Sequence, residues 1–162
     1  MTACSAPRNA PGTSSGAPDG LGAFETLKSL QGNWVAHPEQ GLTYVSYRLA
    51  SSASVLVEEM TAGQQGMSVP PAMMSVYHLD NGRLVMTHFC GQGNQPRMLA
   101  DEVGPSRLHF SVMDVTNLPS PDASHMVAVI FVLKDADHFT QEWTNRAAGV
   151  DEKWQFDFAR SK

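Results

Sequence analysis

Cysteine is almost missing from this chain. Of 162 residues only Cys4 and Cys90 carry a thiol, and their surroundings differ so much that neither a disulfide framework nor an intramolecular bridge is expected. The CxxC and HxxxH spacings that gather zinc are missing as well. Basic residues are few and scattered: Lys and Arg total 11 against 16 Asp and Glu, for a net charge of -5, which argues against nucleic acid as a partner. No apolar run approaches the roughly 18 residues that a membrane-spanning helix needs. There is no Gly-x-Ser-x-Gly elbow, and Glu58-Glu59 and the Asp135/Asp137 pair read as solvated strand or turn positions. Neither a serine hydrolase nor a carboxylate-pair enzyme is therefore expected, and no catalytic residue is assigned.

What is present divides the chain in two. Residues 1–22 are dominated by Ala, Pro, Gly and Ser with almost no large apolar side chain, a composition that cannot offset its ordering entropy and reads as a disordered tail or tether. Within it, Met1-Thr2-Ala3-Cys4-Ser5 resembles the end of a bacterial lipoprotein signal, in which small residues precede a lipid-modified cysteine. The charged and apolar parts of such a signal do not precede it here. If the true start lies upstream, the protein is expected in the cell envelope, anchored to the membrane only through lipid on Cys4. Otherwise it is expected in the cytoplasm.

Residues 23–162 read as one domain. Phe24, Leu27 and Leu30 have helical spacing, placing a short helix over Ala23–Leu30 that Gly32 ends. Period-2 alternation follows nearly to the C-terminus, broken by turn residues at strand-length intervals. Strands are expected near Asn33–Ala36, Leu42–Leu49, Ser54–Met60, Met73–Asp80, Arg83–Cys90, Pro96–Glu102, Ser106–Asp114, His125–Lys134, Asp137–Thr144 and Glu152–Ala159. The fold class is all-β: an antiparallel up-and-down meander barrel of about ten strands with a short N-terminal helix. Asn81-Gly82 is the preferred two-residue type I′ turn. It sets a register that pairs Asp80 with Arg83, Tyr77 with Met86, Ser75 with His88, and Met73 with Cys90. Paired residues share a face, so His88 and Cys90 join Tyr77 and Met86 on the drier, inward face, while His78 lies on the other.

The segment Thr87–Met98 runs from an apolar strand into imidazole, thiol, two carboxamides and a guanidinium, with Gly91 and Gly93 allowing a tight turn. It is the candidate polar mouth of the barrel. In a later strand Phe139, Gln141 and Trp143 alternate with polar residues and form the buried set, so the Gln141 carboxamide needs partners within the fold or on a ligand. Nine methionines offer adaptable apolar filling, whether of a core or of a ligand cavity. The loops Thr61–Ala72 and Val115–Ser124 are long enough to rim a mouth. If His125 lies near His88 and Arg97, that mouth is cationic enough to hold a carboxylate. His88 and Cys90 supply at most two metal ligands, and as base and nucleophile they stand about 7 Å apart, so a hydrogen-bonded core histidine is the default and no metal site is assigned.

Leu30-Gln31-Gly32-Asn33-Trp34 resembles the Gly-x-Trp that opens the first strand of lipocalins and other calycin barrels after a short helix closing one end. Arg160 resembles the arginine that packs on that tryptophan. The stretches Tyr77-His78-Leu79-Asp80, Thr87-His88-Phe89-Cys90, Gly93-Asn94-Gln95-Pro96-Arg97-Met98 and Phe139-Thr140-Gln141-Glu142-Trp143 are similar to a group of small uncharacterised bacterial lipocalin-like proteins. The Thr-Asp-Tyr signature of classical secreted lipocalins has no counterpart. Haem-binding ten-stranded barrels of the nitrobindin type carry further glycines after Gly-x-Trp and a histidine near the C-terminus. Here Val35-Ala36-His37-Pro38 follows and no histidine lies beyond His138, so no haem or other cofactor is expected. That group supplies a fold and no established activity, and the leading expectation from the residues is that the barrel binds a small apolar or amphipathic molecule without catalysis. Tyr77, Met86, Met113, Phe139 and Trp143 would form the apolar wall, and His88, Cys90, Asn94, Gln95, Arg97, His125 and Gln141 would orient the polar end. Two rivals stand beside it: an enzyme on the same barrel with His88 or His125 as general acid or base, and a surface-tethered interaction module whose interior is plain core.

Overall fold

The computed structural model describes residues 19–37, 41–62 and 73–161. The tail, Cys4 and most of the Thr61–Ala72 loop lie outside the described residues. One helix, α1 (Gly20–Lys28), precedes β1 (Gly32–Ala36), β2 (Thr43–Ala50), β3 (Val55–Ala62), β4 (Met73–Asp80), β5 (Arg83–Phe89), β6 (Gln95–Val103), β7 (Arg107–Thr116), β8 (His125–Leu133), β9 (His138–Ala147) and β10 (Val150–Arg160). The strands form a closed antiparallel meander in which β1 also pairs with β10. All ten expected strands are present and differ only at their ends, because unbroken period-2 alternation marks strands that bury one face.

The helix starts earlier than its apolar spacing indicates. Asp19 caps it, its carboxylate accepting from the Gly22 N–H at 3.0 Å. Leu30 falls in the turn after α1, yet its side chain is buried and its carbonyl accepts the Trp34 indole N–H at 2.7 Å. Asn81 and Gly82 take φ of 50° and 78°, as a type I′ turn requires. The register it sets holds from Asp80↔Arg83 to Met74↔Phe89. The expected Met73–Cys90 pair does not form. The chain turns at Cys90, whose N–H donates to the Asn94 carbonyl at 3.1 Å, and Met73 pairs with Met60.

Meander connectivity sends alternate turns to opposite ends. One end is closed by α1, which buries Phe24 and Leu27 over the barrel. Gly20 lies so close to the β4–β5 turn that a Cβ there would stand 2.2 Å from the Gly82 carbonyl oxygen. Below the helix, Arg160 stacks 4.0 Å from the Trp34 ring centroid and donates to the carbonyls of Gln31 (2.8 Å) and Ala136 (2.9 Å). Gly32, at φ 121°, leaves room for that guanidinium: a Cβ would meet it at 2.9 Å. Trp34, Phe139 and Phe158 then fill this end, with ring centroids 4.8 to 4.9 Å apart in successive contacts.

At the other end lie the β5–β6, β7–β8 and β9–β10 connections, with the strand ends at Ala36, Thr43, Ala62 and Met73. Barrel stagger makes it uneven. β1 pairs with β10 only across Trp34–Ala36 and Phe158–Arg160. Among the described residues, nothing pairs with the remaining length of β10 on that side.

Candidate functional site

Strand register lines up four polar side chains across adjacent strands at one level of the interior. Tyr47 pairs with Glu58, Glu58 with Ser75, and Ser75 with His88. All four are buried. Gln141 and Trp143 reach toward them from β9, and the contacts sort these residues and their neighbours into two groups with different needs.

The first group is satisfied within the protein. Tyr77, one step along β4 from Ser75 on the same face, donates its hydroxyl to Glu58 Oε2 at 2.5 Å. Gln141 Nε2 donates to the Tyr47 hydroxyl at 2.7 Å and to Glu58 Oε2 at 3.3 Å, while its Oε1 accepts the Trp143 indole N–H at 3.0 Å. Burial holds the Glu58 carboxyl above its usual range, against hydrogen bonds from Tyr77, Tyr47 and Gln141 that pull it down. Burial, followed by the Glu58 charge, pushes both tyrosine hydroxyls well above theirs.

The second group is not satisfied. His88 is 3% exposed; its Nδ1 lies 3.0 Å from Ser75 Oγ, and its ring packs 4.6 Å from Trp143. Its Nε2 is buried without a hydrogen-bond partner among the described residues. Burial lowers its pKa to about 4, so the imidazole is neutral at physiological pH. Asn94 is similarly half-served: its amide donates to the Ser124 carbonyl at 2.8 Å while its Oδ1 has no partner among the described residues. Buried polar atoms in folded proteins normally find partners, and these two at the same end of the barrel call for a water or ligand.

The mouth also carries apolar surface. Trp154 pairs with Trp143, and Phe156 with Gln141, on the inward face of β10. Both pack against the core and both remain partly exposed, because β10 rises past the end of β1. Both rings thus keep part of their surface open to solvent where β1 does not cover β10. Around it the loops are stitched together: Gln92 and Ser124 donate to Asn145 Oδ1 at 3.2 and 3.0 Å, and Asn117 donates to the Gly93 carbonyl at 2.6 Å.

Of the residues singled out from sequence, Tyr77, Met86, His88, Phe139, Gln141 and Trp143 lie inside the barrel, and Cys90 and Asn94 are buried in the β5–β6 turn. Burial also pushes the Cys90 thiol up, away from reactivity. Gln95 lies at the rim, bonded to Gly93 and Thr116. Three residues face outward. Arg97 precedes the inward Met98 and forms a bidentate pair with Asp114. Met113 is the extra residue of a β-bulge, between the Arg97↔Asp114 and Met98↔Val112 pairs, and is 46% exposed. His125 pairs with the exposed Arg146, opposite in facing to Met126 and Asn145. The cationic mouth of His88, Arg97 and His125 does not assemble.

Glu58 is the largest correction. It is not solvated but 1% exposed at the centre of the interior network. The signal was its parity with Leu56 and Met60, which the adjoining charge of Glu59 masks. Tyr47, Trp154 and Phe156 were also missed, although each alternates in phase with a buried neighbour. Among the described residues no three His, Cys, Asp or Glu side chains converge in a metal-binding group. No protein-family model matches the chain, and no curated protein matches it.

Proposed function

We propose that this chain is a calycin-type barrel that binds a small apolar or amphipathic molecule at its open end, without catalysis. The observation that carries the reading is the His88 Nε2, buried and unpartnered beside the Trp143 ring. A ligand anchored there would lie against Trp143, Trp154 and Phe156, an apolar wall with one convergent polar atom. The calycin assignment draws support from the closed end, where Gly32, Trp34 and Arg160 pack together under a short helix. Acid–base catalysis draws less support. His125 faces outward, and an imidazole with a pKa of about 4 is a weak base at neutral pH.

Native mass spectrometry of mildly purified protein tests the reading. A co-purifying organic mass is expected, released by solvent extraction and weakened by Trp154→Ala, which removes wall without touching the Glu58 network. Protein that repeatedly carries nothing, in preparations spanning several growth conditions, contradicts it.

A further inference from the structure

The charges around the open end are one-sided. None of the described connections 90–94, 117–124 and 148–149 contains a lysine or arginine, whereas Asp122 falls among them. Glu152 pairs with the buried Asn145 and so sits at the rim on the inward side of β10. Among the described residues, the one cation on the inward face is Arg160. It lies at the closed end, occupied with Trp34 and backbone carbonyls. Outer-face cations nearby are paired with acids, as in Arg97–Asp114, Arg146–Asp151 and Lys153–Glu142. A carboxylate entering this barrel would meet a neutral imidazole, the Glu58 carboxyl and an acidic rim. Burying an anion with no counter-charge is strongly unfavourable.

On the protein side His88 meets one partner, its Nδ1 lying 3.0 Å from Ser75 Oγ. Its Nε2 has no partner among the described residues. A neutral hydroxyl can serve a neutral imidazole nitrogen as donor or as acceptor.

We infer that the site selects a neutral apolar hydroxyl compound, an alcohol or phenol whose O–H group pairs with His88 Nε2, and rejects carboxylates of the same hydrocarbon. The inference rests on the binding function proposed above and adds the ligand's charge and polarity.

Isothermal titration calorimetry at pH 7 of the full chain with 2-naphthol, naphthalene and 2-naphthoate separates the two statements. 2-Naphthol is expected to bind about tenfold or more tightly than either relative, the ratio that one hydrogen bond to an otherwise unpaired buried group supplies. In His88→Phe, 2-naphthol should fall to the affinity of naphthalene. Glu152→Lys, at an exposed rim position, should narrow the gap between 2-naphthol and 2-naphthoate at low salt. 2-Naphthoate binding as tightly as 2-naphthol to the wild type, or a gap unmoved by Glu152→Lys, overturns the inference and leaves the binding function standing. Failure of all three probes to bind contradicts both.

Discussion

At His88 the ordinary relation between a histidine and its solvent is reversed. The unfolded chain takes up a proton near pH 6.5, while the folded protein refuses it down to about pH 4. A depressed folded pKa means the unfolded state binds more protons between those values. His88 therefore contributes stability that is complete above about pH 6.5 and is lost as pH falls toward 4, by roughly 3 kcal/mol. Glu58 works in the opposite sense. Its raised pKa favours the folded state at low pH and withdraws that contribution as pH rises through the folded value. Urea midpoints at pH 7 and pH 4.5 isolate the histidine: His88→Phe should lose markedly less stability on acidification than the wild type, and equal losses would exclude the assignment. Glu58 has its own contrast. Glu58→Gln keeps an acceptor for Tyr77 while removing a buried ionisable group, and should match or exceed wild-type stability at pH 8. Glu58→Ala, which strands the Tyr77 hydroxyl and a Gln141 proton, should cost about 3 kcal/mol by the same urea measurement.

Elements dock through close backbone approaches that admit little substitution. Gly20→Ala pushes a methyl into the Gly82 carbonyl and its neighbours, so α1 must lift from the β4–β5 turn. Thermal unfolding should register about 2 kcal/mol of destabilisation, with strand content by circular dichroism unchanged. How far the elements were legible follows from what sets them. Strand existence and the Asn81-Gly82 register depend on local alternation and one turn type, both written in neighbouring residues. The placement of Met113 depends on a bulge, which adds one residue and inverts parity without a local signature. The facing of His125 is hidden for a similar reason: only the pairing of β8 with β9 shows that Met126, not His125, shares a face with Asn145. At Glu58 phase and charge give opposite indications, and phase decides its burial. The network it anchors joins residues 83 and 94 positions apart in sequence, a juxtaposition that no window of sequence contains.

On the scale of the whole molecule, the barrel has two unlike ends made by one topology. Its first and last strands meet over only a few residues, and Arg160 bridges that seam by stacking on Trp34 while holding the turns on either side. Arg160→Ala should therefore destabilise the fold by about 2 kcal/mol in chemical denaturation, more than an exposed surface charge contributes. Arg160→Lys should recover only part of the loss, lacking the planar fork. Away from this clamp β10 runs on alone, and the same stagger that shortens the seam uncovers Trp154 and Phe156 beside His88. The closed end is aromatic and complete, while the open end combines accessible aromatic surface with an unmet hydrogen bond. A crystal structure of protein purified without solvent extraction tests this division most directly. Density for an organic molecule within hydrogen-bond distance of His88 Nε2, lying against Trp143 and Trp154, is the expected result. A closed interior in which a protein atom satisfies Nε2 and the indole of Trp154 is fully packed would contradict it.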